Sequence, residues 1–158
     1  MFEVGDRIAH PLHGAGIIER IESKKVGGET REYYVLSMPV GDMLVMVPKE
    51  TSATIGVRPI IDAKEAGLII EAIASIEVNM TQNWSRRYRE NMVKIKSGDL
   101  MEVAFVIKGL VIRDLDKGLS TGERKMLHSA KQIFISEMVL SQGLPYEEVE
   151  AHLHAALA

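Results

Sequence analysis

The sequence predicts an α+β fold in which a small antiparallel β-barrel is followed by an all-helical domain. The first 60 of the 158 residues contain short runs rich in Gly, Val, Ile and Tyr that are broken by turn residues, a pattern typical of short antiparallel strands. From Asp62 onward apolar residues recur at helical spacing, and capping residues separate one segment from the next. The strands lie too close together in the sequence for helical crossovers, which argues against a parallel sheet.

Five strands are predicted, over residues 5–10, 16–22, 30–38, 43–47 and 57–60. Residues 24–29 are predicted to form the turn between the second and third strands, because Gly27 and Gly28 adopt positive φ without strain. Residues 39–42 carry Pro, Gly and Asp and predict the next turn. Pro48 is expected to end the fourth strand, because proline has no backbone N–H to donate.

Five helical segments are predicted, over residues 62–75, 83–96, 100–116, 120–141 and 145–158. Asn83 is expected to cap the second, and the S-T-G-E string of residues 120–123 has the form of a capping box for the fourth. Residues 77–82 are predicted to form a linker. The elements therefore divide the chain into an N-terminal domain (1–60), a helix with a linker (61–82) and a helical domain (83–158).

Charge is distributed unevenly along this chain, whose formal net charge is −3. Residues 1–70 carry a net charge of −2, residues 71–80 another −2, residues 81–141 +4 and residues 142–158 −3. The average argues against a protein that binds nucleic acid through general cationic character. The local excess in residues 81–141 instead indicates a contact with a polyanion that is confined to this part of the chain.

Composition and motifs argue against an enzyme. The chain has no cysteine, which excludes disulfides, thiolate metal sites and cysteine catalysis. It contains neither a G-x-x-x-x-G-K-[ST] phosphate loop nor a G-x-S-x-G nucleophile elbow. His10 and His13 fit loop or packing residues better than metal ligands, because a metal site needs three or four ligands. We therefore expect no catalytic residue, cofactor, metal or small-molecule substrate.

The chain is expected to be cytoplasmic and to have no membrane association. No apolar run approaches the roughly 20 residues needed to span a bilayer. The first residues lack the basic and apolar regions of a signal peptide.

Residues 83–89, N-W-S-R-R-Y-R, form the most distinctive segment of the chain. The basic residues that fall within about three turns of this predicted helix are Arg86, Arg87, Arg89, Lys94 and Lys96. Cations near a helix N-terminus suit phosphate contacts, because the helix end also offers free N–H groups. Trp84 is the single tryptophan and could act there as an apolar wedge or as a stacking platform for a base.

A packing role for the same segment stays open. One helix face carries apolar residues at positions 84, 88, 92 and 95. Such a stripe usually faces a core, so the spacing alone favours a buried Trp84. Basic residues taken alone more often form a solvated surface than a binding site.

The chain resembles the CarD/CdnL family of bacterial transcription regulators over nearly its whole length. The resemblance in the N-terminal part is carried by F-E-V-G-D (2–6), H-P-L-H-G-A (10–15), R-E-Y-Y-V-L (31–36) and V-P (47–48). In the C-terminal part it is carried by N-W-S-R-R-Y (83–88), S-G-D (97–99) and G-L-S-T-G-E-R-K-M-L (118–127). The combination of N-W-S-R-R-Y with G-L-S-x-G-E is specific, whereas the opening V-G-D alone would be weak.

The resemblance implies that residues 1–60 form a Tudor-like domain, shared with the transcription-repair coupling factor, that binds the RNA polymerase β subunit. Binding is expected to join one sheet edge to another, so that backbone hydrogen bonds supply much of the affinity. The matching positions are Lys24, Lys25, Val26, Met43, Leu44, Val45, Met46 and Val47. Met46 departs from the family pattern, because relatives can carry arginine there.

The resemblance also implies that the helical domain binds promoter DNA, largely independently of sequence. Trp84 matches the tryptophan that wedges into the minor groove at the upstream edge of the melted promoter. The matching basic positions are Arg86, Arg87, Arg89, Arg113 and Arg124. The expected function is that of a non-enzymatic regulator that stabilises the open complex and associates with the nucleoid through RNA polymerase. The alternative is a protein–protein interaction module without a DNA role.

Overall fold

The structure is a computed structural model that describes all 158 residues. The N-terminal strands and the short helix among them are β1 (Arg7–His10), β2 (Gly14–Val26), β3 (Glu29–Ser37), β4 (Leu44–Pro48), α1 (Ser52–Ile55) and β5 (Arg58–Pro59). The helices that follow are α2 (Ala63–Ile73), α3 (Trp84–Lys96), α4 (Leu100–Asp116), α5 (Thr121–Gln142) and α6 (Tyr146–Leu157). The predicted α+β class, with an antiparallel β part followed by helices, is confirmed.

The five strands form one antiparallel sheet in the order β4-β3-β2-β1-β5. Strands β4 and β5 are therefore its two edges. Alternating apolar residues cover one face of the sheet, as expected where one face packs on a core. The buried residues that form this core are Ile8, Ile18, Tyr34, Leu36, Met38, Val47 and Val57.

The hairpin between β2 and β3 is longer than the sequence predicts. Lys24, Lys25 and Val26 were expected within the turn, but they belong to β2 and pair with residues 29–31 of β3. Only Gly27 and Gly28 form the turn, with φ of 59° and 83°. A two-residue turn in which both residues have positive φ matches the twist of the flanking strands, so the pairing continues up to the glycines.

The helix boundaries agree with the predicted ones to within two residues, and the expected caps Asn83 and Ser120 are joined by Asp62 and Asp99, which were not predicted. The side chains of Asp62, Asn83, Asp99 and Ser120 each accept a hydrogen bond from a backbone N–H in the first turn of the following helix. Gly143 ends α5 in the left-handed conformation, with φ of 68°. Helix α1 has four residues and was not predicted, because one turn is too short to show a helical period.

The helical core includes residues of all five longer helices. Representative buried members are Ala66 and Ile73 of α2, Ile95 of α3, Ile107 of α4, Phe134 of α5 and Leu153 of α6. Helix α2 thus packs in the same core as the helices that follow. Helix α6 packs against α2 and α5, so its apolar side is buried in the core.

Residues 76–82 form no helix or strand and lie against α4. The Lys108 ammonium donates hydrogen bonds to the carbonyls of Ile73, Ala74 and Ile76, over 2.9, 3.1 and 2.9 Å. The last carbonyls of a helix have no N–H partner within the helix. The Ile73 carbonyl also accepts the Ile76 N–H (3.1 Å), so Lys108 supplies a further donor where α2 ends. Met80 packs over Gly109 of α4 so closely that a Cβ at position 109 would overlap its side chain.

The sheet and the helices share a buried interface formed by β1, β2 and α5. The backbone N–H of Ala15 donates to Ser136 Oγ (2.9 Å), and Arg7 Nη1 donates to the Leu140 carbonyl (2.7 Å). Gly14, with φ of 90°, lies so close to α5 that a Cβ would overlap Ser136 Oγ and approach the Ile133 Cα to 3.2 Å. The interface therefore needs glycine at position 14 for both its conformation and its space.

The carboxylate of Glu137 joins three parts of the chain at this interface. It is 1% exposed and accepts hydrogen bonds from Arg58 Nη1 (2.7 Å), Arg58 Nη2 (2.9 Å) and the Ile61 backbone N–H (3.0 Å). Arg58 also donates to the carbonyl of Gly98 between α3 and α4. One buried charge therefore connects β5, the segment before α2 and the α3–α4 turn.

Glu137→Gln is expected to lower the free energy of unfolding by about 2–4 kcal/mol. The amide has a similar volume but only one acceptor oxygen, so it leaves the Arg58 charge without a counterion. The effect is smaller than for a fully buried pair, because Arg58 is partly exposed. Urea unfolding at pH 7 measures the difference.

Glu147→Gln is the matched control, since Glu147 is exposed on α6. It is expected to change stability by less than about 0.5 kcal/mol. Equal stabilities of the two variants would show that the Glu137 carboxylate does not hold the interface.

Candidate nucleic-acid and polymerase interfaces

Trp84 begins α3 and presents a half-exposed indole ring, with 46% of the residue accessible. Asn83 caps this helix by accepting a hydrogen bond from the Arg86 N–H (3.0 Å). The indole stacks on Tyr88, with ring centroids 5.3 Å apart and planes at 23°. Its Nε1–H donates to Ser120 Oγ at the start of α5 (3.0 Å). The ring is therefore held from one side and open to solvent on another.

The apolar stripe of α3 enters the core only gradually along the helix. Ile95 at its C-terminal end is buried, and Met92 and Tyr88 are partly buried against the helical core. Trp84 at the other end is outside that core. The packing role that the spacing favours therefore holds for Ile95 and not for Trp84.

Arg87 occupies a different place from the one expected for a DNA contact. Its side chain is 2% exposed and forms a buried ion pair with Glu123 of α5. The guanidinium donates to both Glu123 oxygens, over 2.8 and 3.1 Å, and to the carbonyls of Thr81 and Gln82. All of its donor groups point inward, so a phosphate cannot reach them. Arg87 is a structural residue that fixes α3 to α5 and to residues 81–82.

The partner carboxylate, Glu123, is equally buried. Hydrogen bonds from Arg87 hold the pKa of Glu123 below its ordinary value near 4.5, against the opposite effect of burial. The charges of Arg87 and Arg113 and a hydrogen bond with Ser120 lower this pKa further. Glu123 is therefore ionised at neutral pH. It occupies the last position of the predicted capping box, but its side chain binds Arg87.

The remaining basic residues of the predicted DNA set differ in their access to solvent. Arg86 and Arg124 are exposed and lie 3.6 Å from Glu90 and Asp114, respectively. Such exposed pairs are weak, so a phosphate can replace the carboxylate. Arg89 is exposed and forms no ion pair. Arg113 is partly buried, 4.0 Å from Glu123.

The backbone of the edge strand β4 has a definite hydrogen-bonding pattern. The Lys49 N–H donates to the Glu32 carbonyl (3.0 Å) at one end, and the Met38 N–H donates to the Met43 carbonyl (2.9 Å) at the other. Hydrogen-bonded and non-hydrogen-bonded pairs alternate in an antiparallel ladder. Every second residue of β4 therefore directs its N–H and C=O away from β3.

The register identifies these outward residues as Leu44 and Met46. Pro48 occupies the next outward position, where the lack of an N–H removes no ladder bond. Val45 and Val47 direct their N–H groups toward β3, and the Val47 side chain is buried in the sheet core. Of the predicted polymerase-binding strand, Leu44 and Met46 thus have unpaired backbone groups, whereas Val45 and Val47 position the strand.

The other predicted polymerase contacts lie at the tip of the β2–β3 hairpin. Lys24, Lys25 and Val26 are all exposed. Strand β4 pairs only with residues 33–37 of β3, so this tip projects beyond β4. In the sheet order the β2–β3 hairpin lies next to the edge strand β4.

His10 and His13 lie close together at the end of β1, with ring centroids 4.5 Å apart. His10 is buried, and its Nδ1 accepts a hydrogen bond from the Leu12 N–H (3.0 Å). Burial, together with the neighbouring His13, lowers the pKa of His10. His10 therefore has the packing role that the sequence favours.

Comparisons with known proteins match both parts of the chain. The CarD C-terminal domain matches residues 68–154, and the CarD-like/TRCF RID domain matches residues 2–61. The chain is also similar to YdeB of Bacillus subtilis (strain 168), a protein named as a candidate transcription factor. The two are 35% identical over 151 residues, which cover 96% of this chain and 99% of YdeB.

The chain belongs to the CarD family. This membership supports a transcription-related role that involves interaction with RNA polymerase. The name of YdeB describes a transcription factor. No helix of this CarD-family chain combines the length and apolarity that a membrane span requires.

The contact between Trp84 and Ser120 could not be inferred from the sequence. Ser120 was expected only as a helix cap, and the two residues are 36 positions apart. No spacing rule relates residues on different helices, so this contact becomes visible only when α3 and α5 are packed. The same holds for the pair of Arg87 and Glu123.

Arg87→Met is expected to lower the free energy of unfolding by about 3–5 kcal/mol at pH 7, because it leaves the buried Glu123 carboxylate without its main partner. Glu123 has a lowered pKa in the folded state, so the ion pair stabilises the fold fully above about pH 4.5 and loses this effect as the pH falls through the lowered pKa. The difference between wild type and variant should therefore shrink in acid.

Chemical unfolding measured from pH 7 down to pH 3 tests this expectation. Arg86→Met is the control, since Arg86 is the exposed neighbour on the same helix, and its effect should stay below about 1 kcal/mol. A cost of Arg87→Met that does not depend on pH would contradict the ionised pair.

Proposed function

We propose that this chain is a transcription regulator that binds the RNA polymerase β subunit and stabilises the open promoter complex. In this proposal residues 1–60 bind the polymerase, residues 61–82 connect the two functional parts, and residues 83–158 contact DNA at the upstream edge of the transcription bubble. The observation that carries the proposal is the half-exposed, oriented indole of Trp84 at the start of α3. The proposal places the protein in the cytoplasm, associated with the nucleoid through RNA polymerase.

The polymerase side of the proposal uses the edge of the sheet. The outward N–H and C=O groups of Leu44 and Met46 are available to pair with a strand of the β subunit, and such pairing needs no particular side chain. The absence of arginine at position 46 is therefore compatible with binding. Lys24, Lys25 and Val26 add side-chain contacts from the hairpin tip.

The DNA side uses Trp84 for the bases and arginines for the phosphates. A half-exposed indole can enter a minor groove at a distorted base step or stack on an unpaired base. Arg86, Arg89 and Arg124 are exposed and supply phosphate contacts, with Arg113 as a partly buried fourth cation. Arg87 has no place in this set. Contacts of this kind recognise DNA geometry more than base identity.

Attachment to the polymerase explains how a chain of net charge −3 can act on DNA. A tether raises the effective concentration of the DNA-binding surface at the promoter, so its intrinsic affinity can be low. If this surface contacts only melted or distorted DNA, binding shifts the equilibrium from the closed toward the open complex. The local charge of residues 81–141 is then sufficient.

Trp84→Ala is expected to shorten the lifetime of the open complex roughly 5- to 100-fold, which corresponds to the 1–3 kcal/mol of a stacked aromatic side chain. The lifetime is measured from the dissociation of preformed open complexes after a competitor is added. Binding of the variant to the β subunit should be unchanged.

Val93→Ala is the matched control, because Val93 is an exposed apolar residue of the same helix (70% accessible) and lies nine positions from Trp84. It should leave the lifetime unchanged. A folded Trp84→Ala variant that binds polymerase and gives the wild-type lifetime would refute the DNA role and favour the interaction module.

Met46→Pro is expected to weaken binding to the β subunit at least about 5-fold, because it removes an outward N–H that a partner strand needs. The substitution takes no hydrogen bond from β3 and is therefore compatible with the fold. Met46→Ala keeps the N–H and is the control for the side chain. Binding of the two variants is compared by titration of the isolated β subunit, and equal affinities would argue against edge pairing.

A further inference from the structure

We propose that Ser120 is a positioning residue for Trp84. The Ser120 hydroxyl holds the indole ring in the orientation in which it meets DNA. This inference rests on the proposed function, since it concerns the way in which the same surface is prepared for binding. It assigns to Ser120 a role beyond that of a helix cap. The contact that carries it is the hydrogen bond from Trp84 Nε1–H to Ser120 Oγ (3.0 Å).

Three contacts restrain the indole in different ways. The stacked Tyr88 ring covers one face at a centroid distance of 5.3 Å. The backbone at Gly122 is the third neighbour, and a Cβ added there would be in van der Waals contact with the indole, 3.6 Å from Trp84 Cζ2. These two contacts are apolar and would allow the ring to slide or flip. The hydrogen bond is directional and selects one of these orientations, because the indole has a single N–H donor.

The acceptor itself is held firmly. Ser120 is the N-cap of α5 in extended conformation, and its Oγ also accepts the Glu123 N–H (3.2 Å). Glu123 is bound in turn by the buried Arg87, which belongs to the first turn of α3 together with Trp84. The contacts therefore form a closed path from α3 to α5 and back to α3. A displacement of Ser120 would have to disturb a buried ion pair.

This arrangement reduces the cost of binding. A flexible tryptophan would lose side-chain entropy when it entered the groove, whereas an indole already held in place loses less. The indole N–H is also hydrogen-bonded before binding. Only the apolar face and edge of the ring therefore have to contact the base step. The expected contribution of Ser120 to the lifetime of the open complex is therefore smaller than that of Trp84. It also requires that Trp84 be present.

The test uses the whole 158-residue chain and the fact that Trp84 is its only tryptophan. Ser120→Ala removes the hydroxyl, and Ser120→Thr retains it. Asp99→Ala removes a comparable N-cap, because Asp99 accepts the Met101 N–H at the start of α4 (2.8 Å), and it leaves the indole contacts intact. Time-resolved fluorescence anisotropy of Trp84 reports the local motion of the ring in each variant without DNA or polymerase.

Ser120→Ala should show added fast motion of the indole, whereas Ser120→Thr and Asp99→Ala should resemble wild type. In the open-complex assay Ser120→Ala should shorten the lifetime roughly 2- to 10-fold, as expected for one hydrogen bond. In a Trp84→Ala background the same substitution should have no further effect. That non-additivity distinguishes positioning from a general loss of stability.

Two results would overturn the inference. One is wild-type anisotropy in Ser120→Ala, and the other is an equal loss of lifetime from Ser120→Ala with and without Trp84. Failure of the proposed function has a different signature, since Trp84→Ala alone would then leave the lifetime unchanged. The anisotropy measurement still decides the role of Ser120 in that case, because it requires neither DNA nor polymerase.

Discussion

The buried carboxylate of Glu137 is the interaction on which the relative placement of the sheet and the helices depends. A charge that is 1% exposed is tolerated only when donors replace the water it loses. Arg58 and the Ile61 N–H supply these donors from the sheet side. Apolar contacts at the same interface would accept several packing angles, whereas three short hydrogen bonds to one carboxylate accept few. These hydrogen bonds therefore restrict the orientation of the sheet on the helices.

Helix α5 connects the interface with the sheet to the surface that carries Trp84. Ser136, Glu137 and Leu140 contact the sheet near one end of the helix, and Ser120 contacts Trp84 at the other. About 17 residues of helix separate the two groups of contacts, which corresponds to roughly 25 Å. In the proposed complex this continuous helix is therefore one of the elements that separate the polymerase-binding strand from the DNA-binding surface.

The sequence predicts the elements of this fold well and the pairing of its charged residues poorly. The N-cap residues and the helical stripes are local signals, and they locate the helices to within two residues. The burial of Arg87 is not a local property, because its partner Glu123 is on another helix. The helical spacing places Arg87 beside the apolar stripe of α3 and Arg86 on the opposite side of the helix, but it does not identify Glu123 as the partner of Arg87. Likewise, the outward N–H groups of β4 depend on the strand order, which no pattern within β4 reveals.

The continuity of α5 constrains which changes in chain length this architecture can accept. One residue inserted between Ser120 and Ser136 would lengthen the helix by about 1.5 Å and rotate one end against the other by about 100°. Either the contacts with the sheet or the contact with Trp84 would then be lost. Insertions in the turns at residues 27–28 or 39–42 would not change the length or rotation of α5, so its contacts at both ends would be kept. Variation in length is therefore expected in turns such as these, while α5 keeps a constant number of residues.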